Sequence, residues 1–363
     1  MSREFIIDGG VLLSYEGEAE NVIIPDGVCA VAGHVFPRAE RVRSIRLPCG
    51  LTELEEHAFE GCINVESIEL PESLRIIDDH VFSHWESLRE IIIPEGVQTV
   101  GDECFEHCTA LEKAVLPDSL VNMGRAAFYG CSALEHVRFP RGSRTVDLSG
   151  CFGLKAFHVP EGAEVIDFYR CMALERVNIP ESVSCIEYKS FAYCGALKRI
   201  VIPDSVLAIE DFAFEHCSGL EEISIPDSVR SIGRRVFAGC RGLRRVKLPA
   251  GLTYLADEIF KGCAALEEII LPERLQSIGR ESFSGCAALT ELSIPAAVQS
   301  IGADTFEGCE KLGRIDCADK RLLTAENVRN SPYGEKRGIC SHCGGRLGLF
   351  GGCSRCRNPR KYR

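Results

Sequence analysis

The chain is poor in the residues on which most catalytic sites are built. It has one tryptophan, three methionines and nine histidines in 363 residues. It holds no G-x-S-x-G nucleophile elbow, no Walker-type phosphate loop, no H-E-x-x-H helix and no dinucleotide fingerprint, so the common hydrolase, kinase, metalloprotease and dehydrogenase classes are excluded. No apolar run is long enough to span a bilayer, and no lipidation motif is present. At the start, Met1-Ser2-Arg3-Glu4-Phe5-Ile6-Ile7-Asp8 puts acids, then a glycine pair, where a secretory signal needs continuous apolar residues. These absences lead us to expect a chain that is not an enzyme and resides in the cytoplasm, with an extracellular location as the alternative.

What is present is a repeat. Prolines stand at 25, 48, 71, 94, 117, 140, 160, 180, 203, 226, 249, 272 and 295, in steps of 23 residues except for two steps of 20 between 140 and 180. Around each runs L-x-x-[IV]-x-[IVL]-P-x-[SG]-[VL]-x-x-[IV], followed by a loop through Phe and Cys, as in Leu174 to Ile186 with Phe191 and Cys194. Self-similarity at this period marks a solenoid, in which each coil buries its apolar face only against the next. The apolar-x-apolar triplet before the proline has the period of a short parallel strand. The [VL]-x-x-[IV] pair is expected to turn the chain, and the segment into Phe to form a turn or a single helical turn. Gly101, Gly124, Gly233, Gly279 and Gly302 follow the turning pair, where a left-handed or closely packed backbone is expected.

Four segments follow. Residues 1–24, with Asp8-Gly9-Gly10 between two apolar stretches, read as a capping hairpin. Residues 25–318 form about thirteen coils, two of them short, with Leu148 in the Phe role in the first short coil. Residues 319–339 read as a closing cap and linker, with a short helix at 320–329 and a break at Pro332 and Gly334. Residues 340–363 are a separate small module.

Twenty cysteines suggest a disulfide scaffold at first sight, but eleven recur at one repeat position, from Cys62 and Cys108 through Cys309. Such a column reads as a stack of small buried side chains, free thiols in a reducing cytosol. Trp85 replaces Cys in one coil, a volume change that predicts a bulge or an indole turned outward.

The C-terminal module carries Cys340-Ser341-His342-Cys343 and Cys353-Ser354-Arg355-Cys356, two C-x-x-C knuckles with the spacing of a tetrahedral zinc site. With four thiolates no coordination position stays open, so one structural Zn2+ per chain is expected, and the metal supplies folding energy that so short a tail lacks. Residues 331–363 hold eight Lys or Arg and one Glu, whereas residues 1–330 hold 33 basic and 52 acidic residues. The basic tail compensates the thiolate charge or contacts phosphate; with only Phe350 and Tyr362 as stacking platforms, nucleic-acid recognition is a weak reading.

The solvent side of the strands carries His136, Arg138, His158, Arg176, Asn178, Arg199, Arg245 and Lys247, with Ile92, Val115, Val201 and Ile270 between them. This is a candidate protein-binding face, or a plain solvated ladder.

The repeat, as in Leu197-Lys198-Arg199-Ile200-Val201-Ile202-Pro203-Asp204-Ser205-Val206 through Ala213-Phe214-Glu215-His216-Cys217, resembles the BspA-like leucine-rich repeat family over about residues 20–318. The resemblance implies a right-handed leucine-rich repeat solenoid that binds protein; many relatives are surface adhesion proteins of bacteria. The tail resembles a minimal zinc ribbon. The expected function is a non-catalytic, monomeric bacterial scaffold for a protein partner. The alternatives are a nucleic-acid-associated protein working through its tail and a surface adhesin.

Overall fold

A computed structural model describes residues 4–328 and 331–336. It divides into two units, Met1–Pro180 and Glu181–Arg363, each a stretch of right-handed β-solenoid with short parallel strands.

In the first unit the segment before most of the prolines forms a short strand, although residues 68–70 before Pro71 do not. Glu90–Ile92, Lys113–Val115 and His136–Arg138 pair in parallel at equivalent repeat positions. Ile91 and Ala114 are fully buried, while Glu90 and Ile92 face solvent. Proline ends the strand by removing a donor, and its carbonyl then accepts from the turn, as Pro94 O does from Val97 N at 3.3 Å.

The segment expected to turn the chain is a second row of strands. Ala30–Val31, Glu53–Leu54, Ile76–Ile77, Thr99–Val100 and Asn122–Met123 pair in parallel. Two residues per strand leave no alternation to read in the sequence, but each still exchanges ladder hydrogen bonds with its neighbours. At the N-terminal end, β1 (Phe5–Asp8) and β2 (Val11–Tyr15) form an antiparallel hairpin. Its turn needs positive φ, which Gly9 and Gly10 supply at 56° and 84°. Strand β2 then pairs in parallel with Ala30–Val31 and so provides the first rung of this row.

The wall leading to Phe is built of turns joined from coil to coil, as in Phe82 N to Cys104 O at 2.9 Å and Phe105 N to Ala127 O at 2.8 Å. Most full-length coils have two residues with a left-handed backbone on this wall, as His80 and His84 or Glu103 and His107; His34, His57, His80 and Glu103 hold the first of these positions. Gly233 serves close approach: a Cβ there would stand 2.5 Å from the Asp211 backbone nitrogen.

The core is a column of phenylalanines. Phe59, Phe82, Phe105 and Phe128 are fully buried, with ring centroids 6.1, 5.3 and 5.3 Å apart. In the short coils Leu148 fills the same interior position, and Thr145–Asp147 pairs with Val165–Asp167, setting Asp147 opposite Asp167.

Beside the rings runs the thiol column. Cys108 Sγ donates to Phe82 O at 3.2 Å, Cys131 to Phe105 O at 3.1 Å and Cys171 to Leu148 O at 3.0 Å. Burial pushes the Cys62 thiol up to about 12 and raises Cys131 and Cys151 well above the ordinary range. The expectation for Trp85 is corrected here. Its indole is fully buried, and Nε1 donates to Phe59 O at 2.7 Å, with the ring edge-on to Phe82 at 5.0 Å. The position needs a donor for a phenylalanine carbonyl, and an indole N–H meets that need as a thiol does.

The second unit repeats these parts. Glu222–Ser224, Arg245–Lys247 and Glu268–Ile269 form one row, and Cys185–Ile186, Ala208–Ile209 and Ser231–Ile232 belong to the other. Phe191, Phe214, Phe237, Phe260, Phe283 and Phe306 stack with centroids 5.2 to 6.0 Å apart. Cys217, Cys240, Cys263, Cys286 and Cys309 each donate to a phenylalanine carbonyl.

After the last coil the helix expected at 320–329 is only a 3-10 turn, Lys320–Leu322, capped by the Asp319 carboxylate. Asn327 Nδ2 donates to Leu322 O at 2.6 Å and holds the chain in a turn. Pro332, expected to break structure, instead opens a short helix, Pro332–Lys336, behind Ser331, whose hydroxyl accepts from Gly334 N. Proline suits a first helical position because its missing N–H would have no partner there.

Candidate protein-binding face

The outward residues of the proline-side strands line hollows in both units. In the first unit a hollow of about 290 Å3 is lined by Lys113, Val115, His136, Arg138, Phe157 and His158. Not all of this chemistry is available to a partner. The Arg138 guanidinium donates to Leu116 O at 3.0 Å and pairs with Asp118 at 2.9 Å. Asn178 spends both ends of its amide on Val159, accepting from its N at 2.8 Å and donating to its O at 3.3 Å. Arg176 lies on the strand paired with Ala156–Phe157.

The larger hollow belongs to the second unit. It measures about 1,090 Å3, and among its lining residues are Arg199, Val201, Glu222, Arg245, Lys247 and Ile270. Val201 and Ile270 are 81% and 85% exposed. Large apolar side chains this open to water on a concave face mark a place where association removes apolar area from solvent.

Register decides the charge pattern. The row through Glu222, Arg245 and Glu268 alternates in sign, and Arg199 pairs with Glu222 at 3.2 Å. This row is therefore an alternating lattice of charge and not a run of one sign. Glu222 and Glu268 were legible in principle, since they occupy the repeat position of Arg199 and Arg245.

Elsewhere the sequence reading passed over His34, His57 and His80, although they recur at the 23-residue period. Two sets, His34, His57 and Glu60, and His80, Glu103 and Glu106, hold donor atoms within 4.8 Å of one another and could coordinate a metal. Cys340, Cys343, Cys353 and Cys356 lie outside the described residues. Among the described residues no helix is long and apolar enough to cross a membrane.

Side chains distributed along walls of stacked coils, with apolar points on an open face, define a leucine-rich repeat solenoid, a class of non-catalytic recognition scaffolds. Six copies of the BspA type leucine rich repeat region match residues 13–135, 147–266 and 208–327, and the chain belongs to that family. No curated protein matches it in sequence. Among solved structures, a leucine-rich repeat protein from Bacteroides ovatus is 28% identical with a TM-score of 0.78, over 86% of each chain. A leucine rich cell surface protein from Faecalibacterium prausnitzii is 22% identical with a TM-score of 0.58, over 87% of this chain and 93% of that one. The pneumococcal vaccine antigen PcpA is 18% identical with a TM-score of 0.50, over 86% and 96%.

The cytoplasmic expectation is corrected by these findings. Two of the similar structures are a cell surface protein and a vaccine antigen, and this finding stands against the cytoplasmic expectation. The free-thiol argument for a reducing compartment loses its force for a physical reason. A thiol that is buried, hydrogen-bonded and raised in pKa is inert toward oxidants that need a thiolate.

Proposed function

We propose that this chain is an extracellular bacterial recognition protein of the adhesin type, whose second unit holds a segment of a partner protein in the hollow between Val201 and Ile270. The observation that carries this reading is the exposure of those two side chains on one concave face beside Arg245 and Lys247. The segment it suits has apolar side chains for Val201 and Ile270 and a carboxylate for Lys247. His136, Arg138, His158, Arg176 and Asn178 belong to the same face in the first unit and extend it.

The reading divides the chain into a capping hairpin at 1–24, the solenoid at 25–318, a cap and linker at 319–339 and a zinc knuckle at 340–363. In the knuckle Cys340, Cys343, Cys353 and Cys356 hold one structural Zn2+, supported by their spacing. Cobalt substitution would show intense thiolate-to-metal absorption that is lost when the four cysteines are serine.

The binding test uses labelled full-length protein on an array of surface and matrix proteins. Saturable binding to a defined partner, weakened about tenfold or more by Val201→Glu with Ile270→Glu, is the expected result. Binding that survives the double variant moves the site away from this hollow, and loss on deleting residues 340–363 assigns it to the tail.

A further inference from the structure

In the first unit the first left-handed position of successive turns carries His34, His57 and His80, at φ of 55°, 59° and 55°. Histidine is among the side chains that accept this backbone region. A shared backbone geometry aims the three rings alike, and they stack with centroids 4.8 and 4.6 Å apart. Glu60, three residues after His57, comes back over the column. Its Oε2 lies 3.0 Å from His57 Nδ1 and 3.7 Å from His34 Nδ1.

The other edge of the His57 ring faces a second carboxylate, Glu56 Oε1, 3.3 Å from Nε2. A carboxylate at Nε2 fixes the ring proton there and leaves Nδ1 as a lone-pair acceptor, the arrangement that orients metal-binding histidines. His57 Nδ1 is buried and has no hydrogen-bond partner, although a carboxylate oxygen stands at contact distance. Two acceptors facing each other, one of them a buried ring nitrogen, are reconciled by a cation between them.

We propose that His34, His57 and Glu60 form a binding site for a divalent transition-metal ion of the zinc class. Two imidazoles and one carboxylate are a donor set zinc takes when a fourth position stays open. With bonds of about 2.0–2.1 Å in a tetrahedral site, neighbouring donor atoms stand roughly 3.3 Å apart. The distances of 3.0 and 3.7 Å straddle that value. The His34 side chain, 70% exposed, has room to tilt out of the stack toward the ion. The fourth position opens to solvent, where a carboxylate or imidazole of another molecule can complete the shell. One coil on, His80 Nδ1 stands 3.7 Å from Glu103 Oε2; that set lacks the close pair of acceptors and is not part of the proposal.

The test uses the full-length chain with Cys340, Cys343, Cys353 and Cys356 all replaced by serine, which removes the zinc ligands proposed for the C-terminal knuckle. Calorimetric titration with ZnCl2 at around pH 7.5 should show an equivalent of zinc that depends on this site. His57→Asn keeps a residue that tolerates the left-handed backbone and should lower that affinity ~tenfold or more. Glu60→Gln should do the same, with the metal-free circular dichroism of both variants unchanged. Undiminished affinity in both variants overturns the proposal. So does the absence of zinc binding in the parent.

Discussion

The two units build the same turn and decorate it differently. In the first, the earlier left-handed position of the turn carries His34, His57, His80 and Glu103; in the second it carries Lys189, Phe212, Arg235, Glu258 and Glu281. The first gives stacked imidazoles beside carboxylates. The second gives a ring at Phe212 with Lys189, Arg234 and Arg235 within 5.7 Å of its centroid, and Arg235 between Glu215 and Glu258 at 3.4 and 3.6 Å. Meanwhile the interior column of phenylalanine and the carbonyl-bound thiols is common to both. The coil therefore constrains what points inward and leaves the outward columns open to different chemistry.

The largest effect should come from the shared interior. Phe105→Ala in the first unit and Phe237→Ala in the second should each cost about 3–5 kcal/mol, read by urea unfolding. Unequal costs well beyond that range would break the claim of one common core.

A second experiment sharpens the contrast, because only the first unit has short coils. Burial pushes the Asp167 carboxyl up to about 7, with the Tyr169 N–H drawing it down and Asp147 adding to the rise. The folded chain therefore keeps a proton between about pH 4 and 7 that the unfolded chain releases, and stability falls as pH rises through that window. Asp167→Asn should remove this slope and stabilise the protein by roughly 2–4 kcal/mol at pH 8 while changing little at pH 4. Parallel unfolding curves for parent and variant at both pH values would contradict it.

The smallest effect concerns thiol reactivity, where the units should be alike. A maleimide should label Cys29 and Cys49, which are exposed, at once. Cys131 and Cys240, buried and raised in pKa, should label only on unfolding, as peptide mass spectrometry would show. Fast labelling of Cys240 alone would mean that the second unit opens locally.

The sequence reading reached the interior because interior positions obey the period: Phe105, Cys108 and Leu111 are fixed by what the neighbouring coil leaves vacant. Volume alone misled at Trp85, where the requirement is for a donor to Phe59 O. The second strand row escaped because pairs such as Thr99–Val100 are too short to show alternation. On the binding face, Arg245 was legible as an outward residue, but its setting between Glu222 and Glu268 comes from the register of three separate strands. His57 carried no apolar pattern at all; its interest arises from Glu56 and Glu60 closing on the two edges of its ring.

The thiol-to-carbonyl bond has a consequence for how such a chain changes length over evolutionary time. In the full-length coils the cysteine reaches back 26 residues, as from Cys240 to Phe214 and from Cys263 to Phe237, and across the short coils Cys151 and Cys171 reach back 23, so the linkage depends on the offset between coils and not on position in the gene. Duplication or loss of one whole coil by recombination leaves every remaining donor with an acceptor. A change of length inside a coil is tolerated only where, as in the two short coils, the thiol still meets a carbonyl of an earlier coil; any other strands a thiol and a carbonyl inside the protein. The column thus favours lengthening or shortening the recognition surface by whole coils, full or short.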